Sequence, residues 1–322
     1  MPCIELALRS IASLALMVAV ACSAAHAAAP DAETPDYLMP DAARAAVETH
    51  RDADGRLQIE ITGERFDGRR LIKRLLTDVR EGPSTLPGVD FDLHIAVATL
   101  AGFNGEELRG VDLRLARRAG RIEDFALTGS VPAGAAVRGS TRSIPNARRT
   151  LYLTADDAGA FLRFVDLYAK LLGGRLWLAT DLPAIQEVAY GMRDFELADD
   201  PALRPLRDAL TPPTTLPRAQ HTGWSPSRLR GQLALSPGKI VVKETLFYNK
   251  LAGATAEGTV EGGELNLRGV LAPAFLEEMP KPDCSPSRCL RGLQYTLTGS
   301  LGAPKLLVNP SIENVWQFMF PR

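Results

Sequence analysis

Between Leu229 and Leu271 the chain repeats one pattern: a run of alternating apolar and polar residues, a short turn, then another such run. Leu229, Leu233 and Leu235 share one face of the first run. Ser236-Pro-Gly-Lys239 reverses the chain and Ile240 to Tyr248 returns. Ala252 to Val260 then meets Leu265, Leu267 and Leu271 across Glu261-Gly-Gly-Glu264. A period of two sends successive side chains to opposite faces of a strand, and two central glycines suit the positive φ of a hairpin turn. Turns this short join only antiparallel neighbours, which argues for a meander and against a parallel α/β sheet.

The first half follows the same grammar. Leu57, Ile59 and Ile61 alternate with Gln58, Glu60 and Thr62 after an Asp52-Ala-Asp-Gly55 turn. Phe91, Leu93, Ile95 and Val97 make a second strand, and Val111, Leu113 and Leu115 a third. Ile122 to Gly129 and Ala135 to Thr141 follow. Two helices are expected, near 67–80 and 157–172. The first carries Leu71, Ile72, Leu75, Leu76 and Val79 against Arg69, Arg70, Lys73 and Arg74. The second has Asp156 or Asp157 as its cap, Gly173-Gly174 as its stop and an apolar surface wide enough to require burial on most sides. The fold class is therefore mainly β, an antiparallel meander with a few helices. Residues 28–50 read as a leader or first short helix and 51–200 as an N-terminal β-rich half. The Pro-rich 201–226 reads as a linker or loop, and 227–322 as a C-terminal β region.

Arg9, the apolar stretch Ile11 to Ala21 and Ala25-His26-Ala27 resemble a cleaved export signal covering 1–27. Two alternatives stand beside it: lipidation at Cys22, or retention of the weakly hydrophobic Ser10–Ala29 stretch as an anchor. Each puts the remaining chain outside the cytoplasm, in the periplasm or cell envelope. Export leaves Cys284 and Cys289 among Pro280, Pro282 and Pro286, a pair suited to a disulfide in an oxidising compartment. A metal site is the competing reading, but no second Cys pair or His cluster accompanies it, so no metal and no cofactor is expected. With 46% apolar residues, 23% charged residues and a net charge of −1, the chain has ordinary globular composition. Nothing marks it for nucleic acid, which calls for a clustered basic excess.

No catalytic motif stands out. Nucleophile-elbow, phosphate-loop and dinucleotide fingerprints are missing from the sequence. The carboxylate pairs Asp156-Asp157 and Asp199-Asp200 sit where helix caps are wanted. Neighbouring carboxylates on a strand point to opposite faces, so Glu106-Glu107 is not by itself an acid/base dyad. His94 falls on the polar face of its strand. No catalytic residue is assigned, and a periplasmic glycan-acting hydrolase is the enzyme runner-up.

The C-terminus reads as a strand, a turn, a short strand ending in Pro304-Lys-Leu-Leu-Val-Asn309-Pro310, and an apolar helix from Ile312 to Phe320. That ending resembles the AsmA-like proteins of the bacterial envelope, with Pro304, Val308, Asn309 and Pro310 at the matching places. Leu151 to Leu176 resembles a second block of the family, carried by Asp156, Asp157, Gly159, Gly173 and Gly174. Gly258 to Pro273 resembles a third. The resemblance implies a long curled sheet, an open trough or taco, similar to bridge-like lipid-transfer proteins. It also implies a non-enzymatic role in outer-membrane lipid homeostasis with phospholipid or another acyl lipid as partner. Leu229, Leu233, Leu235, Leu265, Leu267 and Leu271 are then the candidate lining. The terminal helix caps the sheet or meets a membrane surface or envelope protein. A plain sandwich gives the same alternation, with this face sealed against another instead of left for lipid.

Overall fold

In the computed structural model fifteen strands form one sheet, hydrogen-bonded to one another in chain order from first to last. The structure describes residues 44–73, 90–118, 121–144, 148–167, 169–182, 186–197, 224–236, 238–248, 252–273, 293–300 and 305–309. The first half holds β1 (Ala45–Arg51), β2 (Leu57–Asp67), β3 (Phe91–Ala101), β4 (Glu107–Arg118), β5 (Arg121–Ser130), β6 (Ala136–Ile144), β7 (Arg148–Ala155), β8 (Leu171–Leu182) and β9 (Glu187–Leu197). The second holds β10 (Trp224–Ser236), β11 (Lys239–Tyr248), β12 (Ala252–Glu261), β13 (Glu264–Pro273), β14 (Leu293–Ser300) and β15 (Lys305–Asn309). The sheet is curled and unclosed, with no ladder joining β1 to β15 among the described residues. A helix, α1, starts at residue 69 and is described to 73; α2 spans Ala158–Phe164.

Alternation decides which face goes inside. Ile61 pairs with Ile95, Ile95 with Leu113, and Leu113 with Leu127, so one apolar row crosses four strands. Similar rows repeat along the sheet, and one continuous core runs from Leu57 to Leu297. A single sheet can remove such a face from water only by curling on itself or by accepting a cover. Each large aliphatic side chain it buries contributes about 1.5–3 kcal/mol.

The alternating runs read from the sequence are strands, and four features depart from expectation. Residues 45–50, expected within a leader or short helix, belong to β1 (Ala45–Arg51). Ala45 and Val47 pack against the core there, and seven register pairs with β2 outweigh the helical bias of an Ala-rich stretch. Strands β2 and β3 run parallel, joined through α1, so the sheet is not uniformly antiparallel. The Pro-rich 201–226 does not divide the sheet. Trp224 to Pro226 already belong to β10, which pairs directly with β9.

The fourth is α2, which stops at Phe164, well short of residue 172. Asp157 caps its start, accepting from the Ala160 amide at 2.9 Å. At its end Leu167 N–H donates to Leu162 O and Asp166 N–H to Arg163 O, with Asp166 at φ 58. That is a Schellman stop with an aspartate in the left-handed position glycine usually takes. Asn104 makes it possible, its amide donating to both Arg163 O and the Asp166 carboxylate at 3.0 Å. Leu171 and Leu172 consequently open β8, and Gly173 and Gly174, at φ 58 and 82, lie within that strand instead of ending a helix.

Candidate ligand-binding face

The three runs of the C-terminal meander bring their leucines to one face in three cross-strand rows. Leu229 pairs with Phe247, which pairs with Ala254, which pairs with Leu271. Leu233 leads through Val242 and Gly258 to Leu267, and on to Leu297 of β14. Leu235 leads through Ile240 and Val260 to Leu265. All six candidate lining residues thus occupy neighbouring positions in register. Leu229, Leu233, Leu265 and Leu267 are buried, with Leu233 fully inaccessible, and Leu235 packs against the same core from its edge. These side chains belong to the one continuous buried core of the sheet.

Sequence alternation missed the wall that continues this face. Val188, Tyr190 and Met192 of β9 are buried beside Leu233 and Leu229. Their period-two spacing was the available signal, diluted by the small Ala189 and Gly191 between them. Two phenols enter this otherwise apolar interior. The Tyr190 hydroxyl meets Thr245 Oγ1 at 2.6 Å, crossing Gly231 of the intervening strand. Tyr295 donates to the Thr255 carbonyl at 2.5 Å, crossing Gly269 in the same way. Burial drives both phenol pKa values well above the ordinary tyrosine value, the Thr245 bond opposing it for Tyr190. Both stay neutral through the physiological range. Near one end of the face Arg117 is also buried, its guanidinium 5.9 Å from the centre of the Phe91 ring.

Irregular backbone explains why Thr245 and Thr255 are available. Pairing of β11 skips Lys243 and Glu244 towards β12 and Glu244 and Thr245 towards β10, and Glu244 takes φ 46, so the strand is rotated and Thr245 turns inward. At Thr255 the hydroxyl replaces a ladder acceptor, taking the Val270 N–H at 3.0 Å, while the carbonyl it frees receives Tyr295.

The motif residues Asp157, Gly159, Gly173 and Gly174 have structural roles. Asp157 caps α2, and Gly159 lets the helix rest on β8, where a methyl would collide with the Leu171 carbonyl. Gly174 faces Phe195, which would collide with a side chain there, and Gly173 is open but left-handed. Asn309 closes β15. Pro304, Pro310, the pair Cys284 and Cys289, the 1–27 segment and the helix from Ile312 to Phe320 lie outside the described residues.

Two open clefts are polar. One, of about 550 Å³, is lined by Gln232, Lys243, Glu244, Glu257, Asn266 and Arg268 among others. Its carboxylates are solvated: Glu257 is tied to Arg268 at 3.0 Å, and Glu244 is exposed. The other, about 320 Å³, lies between Arg65, Asp67, Arg69 and the Gly102–Glu106 turn. His94 stands on the outer face between Glu60 and Asp112, each 3.6 Å away. No His, Cys, Asp and Glu group suited to a metal occurs among the described residues, and no described helix is long and apolar enough to cross a membrane. Comparisons with protein-family models, with curated proteins and with solved structures return no match.

Proposed function

We propose that this chain is a non-enzymatic cell-envelope protein, akin to the AsmA-like proteins, that holds a phospholipid acyl chain between the walls of its curled sheet. The observation that carries this reading is the alignment of Leu229, Leu233, Leu235, Leu265, Leu267 and Leu271 in three rows on one face of a single unclosed sheet. A closed barrel would need ladder hydrogen bonds to be broken before its walls could part. Here no ladder joins the first strand to the last among the described residues, and an inserted acyl chain offers the buried side chains apolar contacts of its own. Fifteen strands at ~4.8 Å give about 70 Å of sheet, ample for one lipid. The protein then acts as a carrier or as one section of a longer path in outer-membrane lipid homeostasis.

One observation favours a second reading, a structural β domain with a sealed core: Leu233 and Leu297 are wholly inaccessible and Leu267 is 1% exposed. Native mass spectrometry of the purified full chain separates the two. A lipid carrier retains phospholipid mass, and Leu267→Asp loses it while still melting cooperatively. In a sealed core the same change buries an unpaired charge and unfolds the protein. Wild-type protein free of lipid, together with a collapsed Leu267→Asp variant, rejects the carrier reading.

A further inference from the structure

The outer face of β8, β9 and β10 carries like charges in register. Arg175 pairs with Arg193, and Arg193 with Arg228, so three arginines stand side by side across three adjacent strands. In the next outward-facing row Trp177 pairs with Gly191, and Gly191 with Arg230. The indole lies over Gly191, between the strands that bear Arg175 and Arg230, and is 43% exposed. Four arginines and a tryptophan therefore share one patch about 10 Å across, two strand spacings wide.

Directly opposed like charges destabilise a sheet, and little nearby relieves these. All four arginines are exposed. Arg193 reaches Asp194 only at 3.9 Å, with both side chains well solvated. Arg228 donates to the Tyr248 side chain, which raises its pKa, and the Asp194 carboxylate adds a smaller pull in the same direction, so one aspartate serves both Arg193 and Arg228. Arg175 and Arg230 have no carboxylate within ion-pair distance among the described residues. The nearby acids are Asp194 and Glu196, so the patch keeps a positive excess in a chain of net charge −1. Several exposed arginines on other strands are matched, as with Arg114 and Asp112, Arg138 and Asp156, or Arg268 and Glu257.

We propose that this patch docks the protein on an anionic phospholipid surface, the arginines meeting phosphates and Trp177 lying at headgroup depth. The chemistry favours lipid over nucleic acid. The patch joins its arginines to an exposed indole, and exposed Leu172, five residues earlier on the same strand, adds further apolar surface. Tryptophan prefers the membrane–water interface, and each arginine near an anionic surface strengthens binding about fivefold. The proposal is independent of what the inner face holds, because it concerns intact bilayers and not an extracted lipid.

Co-sedimentation of the full chain with vesicles of phosphatidylcholine, with and without phosphatidylglycerol, tests it. Binding should require the anionic lipid and weaken as salt rises. It should fall roughly a hundredfold in Arg175→Gln/Arg193→Gln/Arg228→Gln. A control triple, Arg114→Gln/Arg138→Gln/Arg268→Gln, should retain it. The patch variant should melt no lower than wild type, since it relieves repulsion. Should it fail to fold, Arg175→Gln alone must still weaken binding about fivefold. Equal binding to neutral vesicles, undiminished binding by a folded patch variant, or binding to a single-stranded oligonucleotide in place of vesicles overturns the proposal.

Discussion

Tyr190 on β9 reaches across Gly231 of β10 to the Thr245 hydroxyl of β11, and Tyr295 on β14 reaches across Gly269 of β13 to the Thr255 carbonyl of β12. The two phenols brace the β11–β12 pair from either side, each at a point where the ladder is irregular. Removing the Tyr190 hydroxyl leaves buried Thr245 with only its long 3.5 Å bond to the Lys243 carbonyl, so Tyr190→Phe should lower stability by about 1–2 kcal/mol in urea denaturation. Gly269→Ala should cost more, about 1–3 kcal/mol, because the new methyl falls on the Thr255 carbonyl oxygen. Alkali should also weaken the fold. Both phenols have raised pKa values in the folded protein, so it keeps protons that the unfolded chain releases above about pH 10. Their stabilisation is whole below that pH and is lost progressively as pH climbs from there towards the raised folded values. A urea midpoint that stays flat across that range, or one that falls equally in Tyr190→Phe/Tyr295→Phe, would show the phenols are not its source. None of this was legible in the sequence. The partners lie on different strands, and only the register brings an aromatic over a glycine.

At the scale of single elements, legibility followed the strength of local pattern. Leu57–Ile61, Phe91–Val97 and the leucine-bearing runs of β10 and β13 were readable because each alternates cleanly and is bounded by turn residues. The end of α2 was not, because its stop is an aspartate held in a left-handed conformation by Asn104, far away in sequence. Gly173-Gly174 looked like the stop and is instead a feature of β8. The start of α2 was legible, since an aspartate before a small-residue turn is a strong cap signal. Asp157→Ala should therefore destabilise the protein by about 1 kcal/mol. Asn104→Ala should also destabilise it, through loss of the anchors on Asp166 and the Arg163 carbonyl. Amide exchange in 158–167 should quicken in both variants. An Asn104→Ala protein with unchanged protection there would mean that Asp166 holds its conformation unaided. The face bearing the candidate lining was readable too, because Leu229, Leu233, Leu235, Leu265, Leu267 and Leu271 keep the same phase within their runs.

For the whole molecule, the Pro-rich 201–226 stretch suggested a boundary between two halves, while the sheet crosses it without a break. Strands β9 and β10 share register from Trp224 and Leu197 to Ala234 and Glu187. Tyr190 carries the connection one strand further, to Thr245, and a single apolar core extends from β2 to β14. Unfolding either half alone would strip the ladder from β9 or β10 and expose Val188, Tyr190 and Met192 or Leu229 and Leu233. Those side chains are each buried to 4% exposure or less. At about 1.5–3 kcal/mol for each large apolar side chain, that exposure makes a half-folded state costly. Calorimetry of the full chain should therefore show one transition whose van't Hoff and calorimetric enthalpies agree. Gly231 sits at the joint, beneath the Tyr190 ring, and Gly231→Val should push that ring and the Thr245 hydroxyl away. The variant should melt at lower temperature, with a van't Hoff enthalpy falling below the calorimetric one as the halves lose their coupling. Two resolved transitions in the wild-type protein would mean that the halves fold independently and that the shared ladder contributes little to holding them together.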